Sequence, residues 1–512
     1  MTLFTESLLL DLLGIITALV AVVYAYFKWA YQYWQRRGIP YLEPFIPFGT
    51  FQNPFNRTVS MGDDLARVYR TIKSKGWKHG GAYNITRPTW IVVNLDLVKH
   101  VMTKDFNHFV DRGTYTNEKD DPLTCHLFAV GGKKWRNLRM KLSPTFTSGK
   151  MKSMFQTVID CGLVLEKYIK ENIDSKQAVD IKDLLGSFST DVIGSCAFGL
   201  ECNSFVEPDS PFRRYGKKIL RRSLLDNLKL SFCIIYPDIA RALRVRIINK
   251  EISDFFMKVV EDTINYRERN KYVRKDFLQL LIDIKNNKET QDNGYKGDGT
   301  TLTMPEIAAQ SFVFFIAGFE TSSTTMTFAL YELATHQDMQ DKVREEINTV
   351  FTKHDNQMTY DSLSELKYMK QVIDETLRKY PPVPFLTRKC VQDYKVPDED
   401  VIIEKGTIVL ISVYGIHYDE DYYKNPEVFD PERFNDENIA QRPKYTHLPF
   451  GEGPRICIGE RFGIMQTKVG LTCLLRNFRV KLNEKTQIPL KMSSKQFLSA
   501  AEGDIWLNIE KL

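Results

Sequence analysis

The hydrophobic pattern begins with an apolar run near the N-terminus, residues 8–27, in which Asp11 is the only charged residue. As a helix this run would be about 30 Å long, which matches the thickness of a bilayer core. Three basic residues lie within 28–37, whereas residues 1–7 contain no Lys or Arg. We therefore predict a transmembrane helix in an anchor over 1–37, with the rest of the chain in the cytoplasm. A cleaved signal would need positive charge before the run, and a buried core helix is the alternative.

Beyond the anchor the pattern is mostly helical. Residues 38–49 contain three prolines and predict a stiff, extended hinge. Thr303 and Glu306 form a capping box that opens a long helix. Helical patterns cover about 130–285, 303–336 and 366–379, and a C-terminal helix begins near 459. Strands are predicted at 82–95, near 387–392 and 407–413, and after 476. The polar stretch 285–300 predicts an exposed loop, so we expect a mainly α fold with a minor β portion over 50–512.

Composition narrows the functional classes. Hydrophobic residues make up 43% of the chain and charged residues 26%, as in a globular protein with a large core. The eight cysteines are scattered without a CxxC pair, which argues against a disulfide scaffold or a structural zinc site and favours a reducing compartment. The net charge of +6 is mild, so nothing in it supports nucleic-acid binding.

One cysteine has an unusual setting, in the sequence FGEGPRICIGE at 450–460. The glycines around Cys457 permit tight turns and the close approach of a flat group. The helix predicted just behind it, together with Arg455, should favour a thiolate. No His–Asp pair lies nearby in sequence, so a metal ligand fits better than a nucleophile. An ordinary buried cysteine is the alternative.

The spacing Phe450-x-x-Gly453-x-Arg455-x-Cys457-x-Gly459 resembles the haem-binding signature of the cytochrome P450 family, the haem-thiolate monooxygenases. The resemblance extends over essentially the whole chain. It implies a cytochrome P450 fold, a haem b cofactor in contact with Phe450, and Cys457 as its axial thiolate ligand. In this class the thiolate donates electron density that favours cleavage of dioxygen.

Two further motifs carry the resemblance into the helical region. The sequence ETLR places Glu375 and Arg378 on one helix face, although such pairs alone are usually surface pairs. The sequence PERF supplies Arg433. The resemblance implies a structural Glu375–Arg378–Arg433 network that fixes the cysteine loop under the haem.

The haem propionates should meet arginines. In WRNLR, Trp135 and Arg139 share a helix face, and arginine suits carboxylate geometry. The resemblance implies Trp135, Arg139, Arg388 and Arg455 as propionate partners, with Arg112 as a weaker candidate. For any one of these arginines a surface position is the alternative.

The helix from 303 contains AGFETSSTT, an unusual run of hydroxyl side chains within an apolar helix. Such hydroxyls bond back to carbonyls one turn earlier and can open a bulge. The resemblance implies that Thr321 delivers protons to bound oxygen through water, with Glu320 at the head of that relay. Ala317 and Gly318 would leave room for haem and oxygen. A polar stripe facing solvent is the alternative.

The resemblance also predicts an apolar pocket for hydrophobic small molecules such as xenobiotics, plant toxins, insecticides, steroids or lipids. Its expected lining residues are Leu127, Phe128, Phe315, Ile316, Ala317, Val383, Phe385, Phe497 and Leu498. The form of the oxygen motif and the run LSPTFTSGKM are similar to the microsomal class of the endoplasmic reticulum, and above all to insect detoxifying members.

Electrons must come from outside, because no flavin or nicotinamide motif is present. The resemblance implies NADPH–cytochrome P450 reductase as donor, with cytochrome b5 as a second candidate, and O2 as co-substrate. An acidic partner would dock on a basic patch near the cysteine side, formed by Lys133, Lys134, Arg136, Arg442, Lys444 and Lys468. Two haem proteins remain as alternatives: an enzyme that rearranges peroxides, against which Thr321 and Glu320 argue, and a sensor or carrier without turnover.

Overall fold

The computed structural model describes residues 8–53, 56–174, 177–220, 223–286 and 301–512. Helix α1 (Leu8–Ala30) is three residues longer than predicted and is long and apolar enough to cross a membrane. Its membrane-length segment is not buried against the rest of the protein, which fits a membrane anchor. Most of the predicted polar loop, 287–300, lies outside the described residues.

The segment behind α1 packs against the folded domain. Trp34 is fully buried, and its indole N–H donates to the carbonyl of Ala82 at 3.0 Å. Gly81 makes room for this ring, because a Cβ there would lie 2.4 Å from Trp34. Ile39 and Leu42 are buried as well. The stretch 38–49 therefore packs against the folded domain through these buried side chains.

Helices dominate the described chain. They are α2 (Met61–Ser74), α3 (Leu95–Lys99), α4 (Gly132–Leu142), α5 (Ser148–Asn172), α6 (Ile181–Ile193), α7 (Pro211–Leu220), α8 (Leu224–Ile235), α9 (Pro237–Ala242), α10 (Lys250–Asn270), α11 (Phe277–Lys285), α12 (Met304–Thr335), α13 (Gln337–Lys353), α14 (Tyr360–Glu365), α15 (Lys367–Lys379), α16 (Val413–His417), α17 (Asp436–Gln441) and α18 (Glu460–Leu475). The helices predicted from 303, 366 and 459 are confirmed as α12, α15 and α18.

The strands in the described residues form three small sheets. They are β1 (His79–Asn84), β2 (Arg87–Val92), β3 (Ala178–Asp180), β4 (Phe385–Lys389), β5 (Tyr394–Lys395), β6 (Ile402–Ile403), β7 (Ile408–Ser412), β8 (Phe478–Leu482) and β9 (Trp506–Lys511). The largest sheet has the order β1-β2-β7-β4, with β2 and β7 parallel and the other pairs antiparallel. The others are β3-β9-β8 and β5-β6. The mainly helical class with minor sheets is confirmed.

Helix α12 runs through the main core. The predicted capping box is present, with Thr303 accepting from the Glu306 amide and Glu306 reaching back. Most of its residues are buried, so it lies inside a large apolar cluster. Gly318 contacts α6 closely, since a Cβ there would lie 2.2 Å from Ile193. Gly318 therefore permits helix–helix packing, whereas the sequence had suggested that it leaves room for haem.

Candidate functional site

The cysteine loop is a tight, glycine-dependent turn in front of α18. Gly453 has φ +73°, and a Cβ there would lie 2.0 Å from the carbonyl oxygen of Met102, so only glycine fits. The Cys457 amide donates to the Phe450 carbonyl at 2.9 Å, which closes the loop. Cys457 is the only exposed cysteine of the eight. The loop thus presents one sulfur to open space.

The electrostatic setting of Cys457 differs from the expectation. Burial in the surrounding protein raises the pKa of its thiol, although a hydrogen bond from the Gly459 backbone and the charges of Arg112 and Arg139 lower it. The Cys457 side chain has exposed surface, yet protein atoms surround it closely. It therefore lines an internal space. The loop alone does not make an anion here. Coordination to a metal ion deprotonates a thiol outright.

Arg455 and Arg112 tie the cysteine loop to the segment before α4. Arg455 donates from Nε to the carbonyl of Val110 at 2.8 Å and from Nη2 to the carbonyl of Val130 at 2.7 Å. Its guanidinium lies 4.2 Å from the centre of the Trp135 ring. Arg112 donates to the carbonyl of Arg455 at 3.1 Å. The sequence predicted that Arg455 favours the thiolate and binds a propionate, and the structure adds hydrogen bonds that hold main-chain carbonyls in place.

Positive charge accumulates around this loop. Burial and the charges of neighbouring arginines lower the pKa of Arg112, Arg388 and Arg455 to about 9 each. The Nε of Arg388 is buried without a hydrogen-bond partner. Within the described ranges, neither these three arginines nor Arg139 forms an ion pair with a carboxylate. Uncompensated buried charge is costly, so this cluster fits a ligand with two carboxylates.

The predicted charge network is present and buried. Arg378 bonds both oxygens of Glu375, at 2.7 and 2.8 Å, and neither side chain is exposed. Arg433 lies 3.5 Å from Glu375. The remaining donors of Arg378 reach the carbonyls of His417 and Pro426. Sequence spacing identified the three charged residues, but not these main-chain acceptors from other segments.

The hydroxyl run of α12 lies inside the protein. The Thr321 hydroxyl donates to the Ala317 carbonyl at 2.6 Å, the back-bonding that the sequence predicted, while the helix stays regular. Glu320 is buried and pairs with Lys182 of α6 at 2.9 Å. Lys182 also donates to Thr324 at 2.6 Å. A solvent-facing stripe is excluded, and Lys182 is a partner that no local sequence signal could reveal.

The predicted pocket residues fall into two groups. Large apolar side chains with open surface include Phe128 at 42% and Phe497 at 50% exposure. The Phe497 ring packs edge-on against Phe385, with centroids 5.5 Å apart. Ala317 is exposed, Phe385 and Leu127 are buried, and Ile316, Val383 and Leu498 are intermediate. Phe315 is fully buried and packs against Phe212 and Phe256. Its expected place at the pocket wall is therefore wrong, and it belongs to the aromatic core.

The basic patch also changes. Lys468 is buried and donates to the carbonyls of Leu363 and Leu366, so it cannot meet a partner protein. Lys134 pairs with Glu118 at 2.9 Å. Arg442 is partly buried and lies 4.4 Å from the centre of the Phe434 ring, whereas Lys133, Arg136 and Lys444 are exposed. A groove of about 420 Å³ beside Pro454 is lined by Lys104, Arg136 and Arg139. Lys104 was missed because it lies outside the recognised motifs.

The sequence model of the Cytochrome P450 family matches residues 50–507. The chain belongs to this family. Cytochrome P450 6a2 of Drosophila melanogaster is 44% identical over 98% of this chain and 99% of its own length. Probable cytochrome P450 6a23 of the same organism is 46% identical over 98% and 99%. Cytochrome P450 6A1 of Musca domestica is 43% identical over 99% and 98%.

Family membership makes the protein a monooxygenase whose haem iron is held by a cysteine thiolate. The residues present fit that cofactor. Arg388 has an orphaned buried Nε beside other arginines that lack carboxylate partners among the described residues, and two propionates would supply the missing charge. The relatives are insect proteins, which confirms the resemblance to insect members.

Proposed function

We propose that this monooxygenase inserts one atom of O2 into hydrophobic small molecules, using electrons from NADPH–cytochrome P450 reductase. The observation that carries the proposal is a cluster of four arginines, Arg112, Arg139, Arg388 and Arg455, beside the exposed Cys457. None of them pairs with a carboxylate among the described residues, and the buried Nε of Arg388 has no hydrogen-bond partner. Dioxygen activation is the chemistry that the bound haem supplies. Side chains of this chain would hold the cofactor, bind the substrate and supply protons.

Cys457 is the proposed iron ligand, in a loop with Phe450 behind it. The Gly459 N–H, directed at the sulfur, stabilises a thiolate and limits how strongly it donates. Arg112, Arg139, Arg388 and Arg455 would bind the propionates, with Trp135 packed under Arg455. The Glu375–Arg378–Arg433 network would hold the loop rigid, because the Glu375–Arg378 pair is completely buried and Arg433 adds a second cation 3.5 Å from Glu375.

Proton supply is assigned to Glu320 and Thr321. Lys182, about one-third exposed, links solvent to the buried Glu320 carboxylate. The Lys182 amine holds the Glu320 carboxylate at 2.9 Å, in a position from which it can pass on protons taken up from water. The Thr321 hydroxyl, anchored on Ala317, would position the last water of this path.

The substrate would contact the apolar side chains with open surface, Phe128, Phe497 and Ala317, backed by Leu127, Ile316, Val383, Phe385 and Leu498. Because these groups offer few polar partners, hydrophobic compounds such as plant toxins, insecticides or lipids fit best. Membrane anchoring supports this choice, since such compounds partition into lipid.

We place the protein in the endoplasmic reticulum membrane, with residues 1–37 as a single-pass anchor, 38–49 as a connector and 50–512 as the cytoplasmic catalytic domain. The basic flank of α1 supports this orientation. The reductase, or cytochrome b5 as second donor, would dock on the groove lined by Lys104 and Arg136. Positive charge there would attract an acidic partner.

The decisive experiment is the carbon monoxide difference spectrum of the membrane-bound protein. Cys457→His should remove the band typical of thiolate ligation together with NADPH-dependent product formation, while the partly buried Cys161→Ser should keep both. A thiolate band that survives Cys457→His would refute the assignment. Turnover with peroxide alone would favour a peroxide-rearranging enzyme, and a thiolate band without any NADPH consumption would favour a sensor or carrier.

A further inference from the structure

A buried histidine, His417, bridges two parts of the site that the sequence motifs leave unconnected. It is completely buried at the end of α16. Its Nδ1 lies 2.9 Å from the carbonyl oxygen of Arg378, and its Nε2 lies 2.9 Å from the backbone nitrogen of Leu448. One side chain thus spans from α15 to the segment that opens the cysteine loop.

The two partners assign the tautomer of this ring. A carbonyl can only accept and a backbone amide can only donate, so Nδ1 of His417 carries the hydrogen and Nε2 accepts. The imidazole is therefore neutral in this geometry. Burial is consistent with that, because it lowers the pKa of His417 to about 3.

On one side His417 is held by the charge network. The Arg378 guanidinium donates to the His417 carbonyl at 2.9 Å, while the His417 ring donates to the Arg378 carbonyl. The same guanidinium is paired with Glu375 in a fully buried ion pair. The reciprocal bonds fix the position of the ring relative to α15.

On the other side the contacts continue to the cysteine. The Leu448 carbonyl accepts from the Gly451 amide at 3.0 Å, and the Phe450 carbonyl accepts from the Cys457 amide at 2.9 Å. Leu448 itself is buried. A continuous series of hydrogen bonds and short chain segments therefore runs from Arg378 through His417 and Leu448 to Cys457.

We propose that His417 is a positioning residue that transfers the fixed geometry of the Glu375–Arg378 pair to the Cys457 loop and so keeps the sulfur in place for iron. The inference rests on the proposed ligand role of Cys457. Without the His417 imidazole, the Leu448 amide would be buried without an acceptor, and the start of the cysteine loop would be free to shift.

Two substitutions separate the two bonds of the ring. In His417→Gln the side-chain oxygen can reach the position of Nε2 and accept from Leu448, whereas in His417→Asn the side-chain amide can occupy the position of Nδ1 and donate only to Arg378. We expect the thiolate band of the carbon monoxide complex to be lost on warming roughly tenfold faster in His417→Asn than in wild type. His417→Gln should stay near the wild-type rate.

The matched control is His447→Gln. His447 is the neighbouring histidine, stacked on His417 with centroids 5.5 Å apart, and it bonds the Asp374 carbonyl at 3.3 Å instead of the loop. Each rate is measured at the same number of degrees below that variant's own global melting temperature. Under these conditions the control should lose the thiolate band at the wild-type rate. Equal loss in His417→Gln and His417→Asn, or no loss in either, would overturn the proposal.

A second measurement needs no variant. In the wild-type haem-loaded protein, the Leu448 amide should exchange its hydrogen as slowly as amides of the surrounding core, and rapid exchange would overturn the proposal even if both variants fail to fold. Absence of any thiolate band in wild type would instead refute the ligand role of Cys457, so the two failures are distinguishable.

Discussion

Replacing Arg388 with methionine should stabilise the haem-free protein and at the same time weaken its affinity for haem. Protein groups alone lower the pKa of Arg388 to about 9, through burial and the nearby charge of Arg455. Since one pKa unit corresponds to about 1.4 kcal/mol, the charged guanidinium destabilises the haem-free fold by roughly 5 kcal/mol. Its hydrogen bond to the Thr387 carbonyl offsets about 1 kcal/mol. Arg388→Met should therefore raise the free energy of unfolding of the haem-free protein by a few kcal/mol.

The direction of the pH effect follows from linkage. The pKa of Arg388 is lower in the folded state than in the unfolded chain, so the unfolded state binds more protons. The penalty is complete below pH 9 and fades as the pH rises above about 9. The gain from Arg388→Met should accordingly be present at neutral pH and shrink in alkaline buffer.

Haem affinity should change in the opposite direction, since a hydrogen bond to a charged carboxylate contributes about 1.5–3 kcal/mol. Urea unfolding of the haem-free protein measures the free energy of unfolding. A haem titration followed by absorbance measures the haem affinity, which should fall tenfold or more in Arg388→Met. Arg461→Met removes the same charge from an exposed position on α18 and should change neither. A destabilised haem-free Arg388→Met protein, or unchanged haem affinity, would refute the idea of a preformed anion site.

Three further outcomes follow from the geometry. Lys104→Glu should slow reduction by the reductase at low salt but not at high salt. Lys134→Glu should have no such effect, because Lys134 is already paired with acidic groups. Equal slowing by both variants would contradict the docking site. Lys182→Met leaves a buried carboxylate without its cation, so product formed per NADPH should fall several-fold while the thiolate band persists. Phe497→Ala should weaken the spin-state response to hydrophobic ligands roughly tenfold. Phe315→Ala should instead cost about 3–5 kcal/mol of stability, and a reversed pattern would contradict the two placements.

Local chemistry made much of this fold predictable. The start of α12 follows from Thr303 and Glu306, whose capping box needs only four consecutive residues. The turn of the cysteine loop is equally local, since Gly453 adopts φ +73°, which favours glycine. The Glu375–Arg378 pair could be identified because one turn of α15 holds both residues. In each case the pattern and its physical cause lie within a few residues.

The errors concern contacts made across the fold. Helix α12 is buried on nearly every side, so it carries no amphipathic signal that tells whether Phe315 or Ala317 faces the open space. Lys182 meets Glu320 only after α6 packs on α12. Lys468 looked like a surface charge, but its amine is held by carbonyls at the end of α14 and just beyond it, and burial lowers its pKa to about 8.

The buried charges of the site form two groups: those that are paired with an opposite charge of the protein, and those that are not. Glu375 and Arg378 neutralise each other with complete burial, so nothing further can bind there and the pair can only hold structure. Arg112 and Arg388 are nearly as costly to bury, yet no carboxylate pairs with them in the part of the chain described. A fold keeps such uncompensated charge only where a ligand of opposite charge repays the cost. The Glu375–Arg378 pair thus belongs to the scaffold, whereas Arg112 and Arg388 mark the surface that we propose receives the cofactor. His417 hydrogen-bonds to Arg378 on one side and to Leu448 on the other.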